Sequence, residues 1–161
     1  MGFFKSNKGS VISDYFMLLE DVGGLNKGQA VDVSLYEDHL TLKNFTIKQP
    51  ITLNYSQITD VFYGYTTEIQ EKNKSTIGRA VAGGLLFGGA GAIVGAISAK
   101  GEKKEKKVTK LMFIISYTSS KGDDCFLQFE DTRHWNGKKL SEKLKELCNI
   151  EEKEKEVITE L

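Results

Sequence analysis

Residues 30–42 read AVDVSLYEDHLTL, and this stretch decides the fold class. Its apolar residues alternate with polar ones on both sides of Glu37-Asp38, a pair typical of a tight turn. Successive side chains of a β-strand point to opposite faces, so an alternation of period two predicts a strand with one buried face. The first strand would bury Val31, Val33 and Leu35, and the second would bury Leu40 and Leu42. The stretch therefore predicts an antiparallel hairpin on a hydrophobic core.

Similar patterns extend along the chain in both directions. Apolar and aromatic runs separated by turn residues predict seven short strands, at residues 15–22, 30–36, 40–42, 51–54, 58–69, 108–117 and 125–130. The period then changes to that of a helix, with Asn136 as its candidate cap and one apolar face formed by Trp135, Leu140, Leu144 and Leu147. A chain of 161 residues is about one domain long. We therefore expect a mainly β (α+β) domain over residues 14–148, with an extension at 1–13 and a charged tail at 149–161.

Two segments carry a resemblance to a known family. One is the strand–turn–strand element Leu35 to Leu42, and the other runs through Ile51 to Asn54 into Tyr55-Ser56-Gln57-Ile58-Thr59-Asp60-Val61. Both resemble bacterial PH-like (pleckstrin-homology or GRAM-like) domains, in which a hairpin is followed by an (I/L)-x-Y-x-x-I-x-x-V element. The resemblance implies a seven-stranded orthogonal sandwich, or open barrel, closed by a C-terminal helix. It also implies a scaffold that binds membranes, peptides or lipid headgroups.

The chain departs from that family by an insertion, residues 72–108, between the fifth and sixth predicted strands. The net charge of the chain is zero, which gives no global field for a nucleic acid and leads us to expect no such partner. Nevertheless, residues 72–110 contain nine basic residues and only two acidic ones. Anionic headgroups or another anion would be bound by Lys72, Lys74, Arg79, Lys100, Lys103, Lys104, Lys106 and Lys107.

Residues 80–99, inside the insertion, contain no charged side chain. Small residues recur there every four positions. On a helix they would form a stripe without large side chains, which another helix can approach closely, as helices do within a membrane. The predicted membrane or self-association interface comprises Ala80, Gly84, Leu85, Gly88, Gly91, Ala92, Ile93, Gly95 and Ala96. Because the flanking strands should pair, both ends of the segment should lie on one side of a membrane. A helical hairpin that turns at residues 88–91 would satisfy this, with legs of ~13 Å that enter one leaflet.

The sequence contains none of the local signatures of catalysis that we sought. The histidines, His39 and His134, are predicted to be structural, and Cys125 reads as a small core residue. Neither Cys125 nor Cys148 lies in a CxxC pair, and no HExxH, EF-hand or phosphate-binding loop motif occurs. We therefore expect a protein that is not an enzyme and has no metal and no cofactor.

Three functions follow from these observations as hypotheses. The first is a cytoplasmic bacterial or phage PH-like module, peripheral or monotopic at the inner membrane face, that is anchored or oligomerised by the glycine-zipper hairpin. The second is a soluble oligomer that sequesters an anionic small molecule, such as a nucleotide signal in phage anti-defence, or binds a partner protein of unknown identity. The third is an oligomeric pore former. The expected partners are thus anionic lipid, a second copy of the chain, or an anionic ligand.

Overall fold

The computed structural model describes residues 9–65, Ile77, Ala80 and residues 110–150. The described part contains seven strands followed by one α-helix. The strands are β1 (Ile12–Leu18), β2 (Ala30–Leu35), β3 (His39–Lys43), β4 (Ile51–Asn54), β5 (Ile58–Tyr65), β6 (Leu111–Thr118) and β7 (Asp124–Glu130). A 3₁₀ turn, Tyr55–Gln57, connects β4 to β5, and helix α1 (Gly137–Leu147) follows β7.

The strands form one antiparallel sheet in the order β4-β3-β2-β1-β7-β6-β5. Its two halves, β1–β4 and β5–β7, meet where β1 pairs with β7 over only two residue pairs, Met17 with Glu130 and Leu18 with Phe129. The seven antiparallel strands and the C-terminal helix agree with the predicted PH-like fold. The helical-hairpin part of the prediction falls on residues 81–99, outside the described residues.

The main core lies between the two halves of the sheet and α1. Three buried phenylalanines occupy its centre: the Phe16 ring centroid is 4.9 Å from that of Phe113 and 5.9 Å from that of Phe129. From α1, Leu140 and Leu144 are fully buried in the same cluster. Burial of each such side chain contributes roughly 1.5–3 kcal/mol. The helix therefore completes the core.

Several boundaries differ from the sequence-based ones. β1 spans Ile12–Leu18 instead of 15–22. The chain bends at residues 19–20 and then turns at Gly23 and Gly24, both with positive φ, between the bridged residues Val22 and Leu25. β6 begins at Leu111 instead of 108 and ends at Thr118. Of the predicted fifth strand, residues 66–69 lie outside the described residues.

The prediction that Trp135 lies on the buried face of the helix is wrong. Helix α1 begins at Gly137, and Trp135 precedes it with 66% of its surface exposed. Asn136 does occupy the N-cap position, but its side chain makes no cap hydrogen bond. Its backbone N–H instead donates to Asp14 Oδ2 at 2.9 Å. The helix start is thus fixed by a buried carboxylate of β1.

Candidate binding surface at the insertion edge

The chain leaves the sheet after Tyr65, at the end of β5, and re-enters it at Leu111, at the start of β6. These two residues are register partners, and the pairing of β5 with β6 continues from there to Ile58 and Tyr117. We call this end of the sheet the insertion edge. The prediction that the strands flanking the insertion pair with each other is confirmed. The insertion therefore begins and ends at one place on the domain.

The sheet is apolar on both faces next to the insertion edge. In β6, Phe113 and Ile115 point into the main core, whereas Met112 and Ile114 belong to a second buried cluster on the opposite face. Phe62 of β5 joins the second cluster, and Leu19 and Phe126 pack at its margin.

Two residues from beyond β5 complete this second cluster. Ile77 and Ala80 both have helical backbone conformation and are buried against Phe62, Met112 and Ile114. Residues three apart on a helix lie on the same side, which explains how both reach the sheet. We call the five residues Phe62, Ile77, Ala80, Met112 and Ile114 the outer cluster. The beginning of the insertion is thus attached to the domain by apolar packing.

Asp60 adds a polar contact to this attachment. The strand register shifts between Ile58 and Asp60, and such a bulge redirects side chains. One oxygen of Asp60, Oδ1, accepts the N–H of Val61 at 2.9 Å, and Oδ2 accepts the N–H of Ile77 at 3.4 Å. A carboxylate that accepts a backbone N–H of a helical residue complements the partial positive charge of such groups. Asp60 therefore helps to orient the chain where it packs on the outer cluster.

The turn between β7 and α1, residues 131–136, lies at the same edge. The N–H of Asp131 donates to the carbonyl oxygen of Leu111 at 2.8 Å, so the turn begins beside the residue at which the chain returns. The buried Asp131 carboxylate accepts the Tyr63 hydroxyl at 2.6 Å and the N–H groups of Arg133 and His134 at 3.2 and 2.9 Å. Burial, together with the Asp131 hydrogen bond, raises the pKa of Tyr63 above its ordinary value. Asp131 therefore fixes the turn to both strands of the insertion edge.

Gly137 permits this close approach of the turn to β5. A Cβ atom at this position would lie 2.9 Å from the Tyr63 hydroxyl oxygen and would also collide with the Asp131 carboxylate. Any larger residue would push the start of α1 away from the strand. The sequence signal for this turn was present, since DTRHWNG (residues 131–137) is polar and ends in Asn-Gly, a turn pair. The helical spacing of Trp135 to the later leucines obscured it.

Most of the predicted site residues lie outside the described residues. Of the predicted interface, the structure describes Ala80, which is 4% exposed and packs on the outer cluster. The other interface positions lie outside the described residues: Gly84, Leu85, Gly88, Gly91, Ala92, Ile93, Gly95 and Ala96. The same holds for the predicted anion-binding residues Lys72, Lys74, Arg79, Lys100, Lys103, Lys104, Lys106 and Lys107. Lys110, at the return of the chain, has its Nζ 3.9 Å from Glu130 Oε1.

Each histidine lies in a local hydrogen-bonded arrangement, and both cysteines are partly buried. His39 Nδ1 lies 2.6 Å from Asp38 Oδ1, and its ring stacks on Tyr36. His134 adopts a positive φ inside the turn fixed by Asp131. Burial raises the pKa of the Cys148 thiol to about 12, which keeps the sulfur protonated and a poor nucleophile at neutral pH. Cys125 is only partly buried, so the prediction that it is a core residue is wrong.

In residues 9–65 and 110–150, with Ile77 and Ala80, no group of three or more His, Cys, Asp or Glu side chains is placed to hold a metal ion. No helix within the same residues has the length and apolar character needed to span a membrane.

Comparison with known proteins identifies the class of the domain. A mainly β sheet of seven antiparallel strands with a C-terminal helix, extended by a small-residue segment between β5 and β6, is a PH-like domain with an insertion. The model of the family described as "glycine zipper containing PH domain" matches residues 24–129, more than half of the chain. The chain therefore belongs to this family. No curated protein matches it. The family and the fold suggest a non-catalytic binding module.

Proposed function

We propose that this protein is a binding module that docks on an anionic membrane surface through its insertion, residues 72–108. The glycine-zipper segment would enter one leaflet as a hairpin, and the flanking basic residues would contact the headgroups. The cytoplasmic leaflet is the expected target because it carries anionic lipid.

The observation that supports this function most strongly is the register of β5 and β6. Because Tyr65 pairs with Leu111, a segment that enters a membrane from the insertion edge must also return to that edge. A segment that crossed once would have to separate two paired strands. The uncharged residues 80–99, with basic residues on both sides, fit a re-entrant segment. The apolar segment and the basic residues on both sides of it together supply the two interactions, hydrophobic and electrostatic, that stable membrane anchoring requires.

The outer cluster determines how this proposal is tested. A deletion of the whole insertion would also remove Ile77 and Ala80, which would expose Phe62, Met112 and Ile114 and promote aggregation. Deletion of residues 84–99 alone keeps the outer cluster covered. We expect the full chain to float with vesicles of phosphatidylcholine and phosphatidylglycerol in a density gradient. The 84–99 deletion should remain in the aqueous fraction while its domain still unfolds cooperatively in urea.

The contribution of the basic residues is tested with a charge-matched pair of variants. One variant changes Lys103, Lys104, Lys106 and Lys107 to Gln, and the control changes Lys138, Lys139, Lys143 and Lys145 of α1 to Gln. A basic residue near an anionic surface contributes ~1 kcal/mol, so the first variant should bind such vesicles at least tenfold more weakly than the control. Equal binding of the two variants would show that only the total charge matters.

The other two functions predict different results in the same assays. A pore former would release a dye trapped in the vesicles, whereas a docked hairpin within one leaflet would not. A soluble binder of an anionic ligand would stay in the aqueous fraction even on anionic vesicles at low salt. That last result would reject the membrane proposal.

A further inference from the structure

Two exposed aromatic side chains lie at the insertion edge. Among the described residues, the large apolar side chains with high exposure are Val11, Phe45, Tyr65 and Trp135. Tyr65 ends β5 and is 43% exposed, and Trp135 lies in the turn that Asp131 fixes to Leu111 and Tyr63. Trp and Tyr concentrate at membrane–water interfaces, where the ring meets the apolar layer and the polar group meets water.

The Arg133 guanidinium lies over the rings of both Trp135 and Tyr15. Its guanidinium carbon lies 5.0 Å from the centroid of the Trp135 ring and 5.1 Å from that of the Tyr15 ring. Both distances are within the range of cation–π attraction, which limits the motion of the guanidinium. A guanidinium held in this way offers planar N–H donors that match a phosphate group.

Trp135 and Arg133 are presented by a rigid base. Asp131 binds the backbone of the turn at two N–H groups and anchors it to Tyr63, while Asp14 holds the N–H of Asn136. The indole is therefore held at a defined place at the insertion edge, and binding needs little further ordering of the backbone. Preorganisation of this kind reduces the entropic cost of binding.

We propose that Arg133 and Trp135 form a second membrane contact, in which the indole enters the headgroup layer of an anionic bilayer and the guanidinium binds a lipid phosphate. Tyr65 lies at the same edge and belongs to this contact. The inference rests on the proposed function, because the insertion brings this edge to the membrane. Residues 72–110, the segment that leaves and returns at this edge, contain nine basic and two acidic residues, and an anionic bilayer attracts a segment of that charge.

The test uses the protein's own fluorescence, because Trp135 is the only tryptophan in the chain. The full chain is mixed with phosphatidylcholine–phosphatidylglycerol vesicles, and flotation and tryptophan emission are measured on the same sample. We expect floated protein whose emission is shifted to shorter wavelength. Lipids brominated near the headgroup end of the acyl chain should quench this emission more than lipids brominated at the far end.

The outcomes separate this inference from the proposed function. Protein that floats while its emission stays as in buffer, without quenching, retains the proposed function and overturns this inference. Protein that does not float overturns both. An emission shift that appears on concentrating the protein without vesicles would assign the surface to contacts between copies of the chain, and would also overturn the inference.

Substitutions give an independent test. Arg133→Gln should weaken vesicle binding about fivefold, the effect expected for one cation near an anionic surface, and Arg133→Lys should recover part of the loss. Trp135→Ala should also weaken binding, and Trp135→Phe should weaken it less. The matched control is Phe45→Ala, which removes an aromatic side chain that is 97% exposed on a different loop. If Phe45→Ala weakens binding as much as Trp135→Ala, exposed aromatic surface in general is responsible and the inference is wrong.

Discussion

The two halves of the sheet, β1–β4 and β5–β7, differ in the composition of their outer faces, the faces turned away from the main core. On β2 and β3 the outer face is polar: Ser34 donates to Asp32 Oδ1 at 2.9 Å, and Ser34 pairs in register with Thr41. On β5 and β6 the outer face next to the insertion edge is apolar and is formed by Phe62, Met112 and Ile114. Strands that are apolar on both faces require other residues to shield both faces from water. The insertion begins where this cover is needed, and its residues Ile77 and Ala80 supply part of it.

The largest expected effect comes from a cavity in the outer cluster. Ile114 is fully buried there, so Ile114→Ala should lower the free energy of unfolding by ~2–5 kcal/mol, the range for loss of a large buried aliphatic side chain. Thr41→Ala on the polar outer face should cost only about 1 kcal/mol. Urea unfolding followed by circular dichroism measures both. Equal losses of unfolding free energy in the two variants would contradict the difference between the two halves of the sheet.

A second variant opens the same cluster from the side of the insertion. Ile77→Ala removes apolar surface that packs on β5 and β6, and we expect a loss of ~2 kcal/mol. Because Ile77 and Ile114 belong to one cluster, the double variant should be less destabilised than the sum of the singles by about 0.5 kcal/mol or more. Strict additivity in urea unfolding would indicate that the two side chains do not share a cavity, against the attachment described above.

A third comparison uses one hydrogen-bonded tyrosine hydroxyl from each region. The Tyr63 hydroxyl ties β5 to the turn before α1 through Asp131, whereas the Tyr55 hydroxyl donates to the carbonyl oxygen of Tyr36 beside β2 and β3. Each Tyr→Phe change should cost ~1 kcal/mol. Tyr63→Phe should in addition alter the Trp135 emission of the free protein, because it releases the turn, and Tyr55→Phe should not.

Alkaline pH provides a further check on these two tyrosines. Burial raises the pKa of both in the folded state above the ordinary value of 10.0. The unfolded chain therefore loses these protons first, so their stabilising contribution is complete below about pH 10 and declines as the pH rises further. Each Tyr→Phe variant should show a smaller decline in unfolding free energy above that pH than the parent protein. An unchanged pH profile in both variants would contradict this assignment.

The smallest effect is expected at the surface ion pair of the insertion edge. Lys110 Nζ and Glu130 Oε1 are 3.9 Å apart and partly exposed. Lys110→Gln should change the free energy of unfolding by less than ~0.5 kcal/mol, and added salt should abolish the difference. A larger loss of unfolding free energy that persists in salt would show that this ion pair, rather than the outer cluster, stabilises the insertion edge.

Much of the fold could be predicted because strand alternation records burial directly. The buried face of β2 and β3, the seven strands and the family were all inferred from the sequence. The helix start was inferred as well, since Asn136 occupies the predicted N-cap position. The turn before it was not inferred, because Trp135 fits the helical spacing of Leu140 and Leu144. The position of this turn depends on long-range contacts, in which Asp14 binds the N–H of Asn136 and Asp131 binds Tyr63. The attachment of Ile77 to the outer cluster is likewise a tertiary contact that no local pattern specifies.

Hydrogen–deuterium exchange with and without anionic vesicles is the most direct test of the central claim that the insertion docks on the membrane. The account predicts that vesicles slow exchange in residues 80–99 and in the turn at 131–136, and that β2 and β3 exchange as before. The account would be contradicted if vesicles left exchange in residues 80–99 unchanged, or slowed it instead on the polar outer face of β2 and β3.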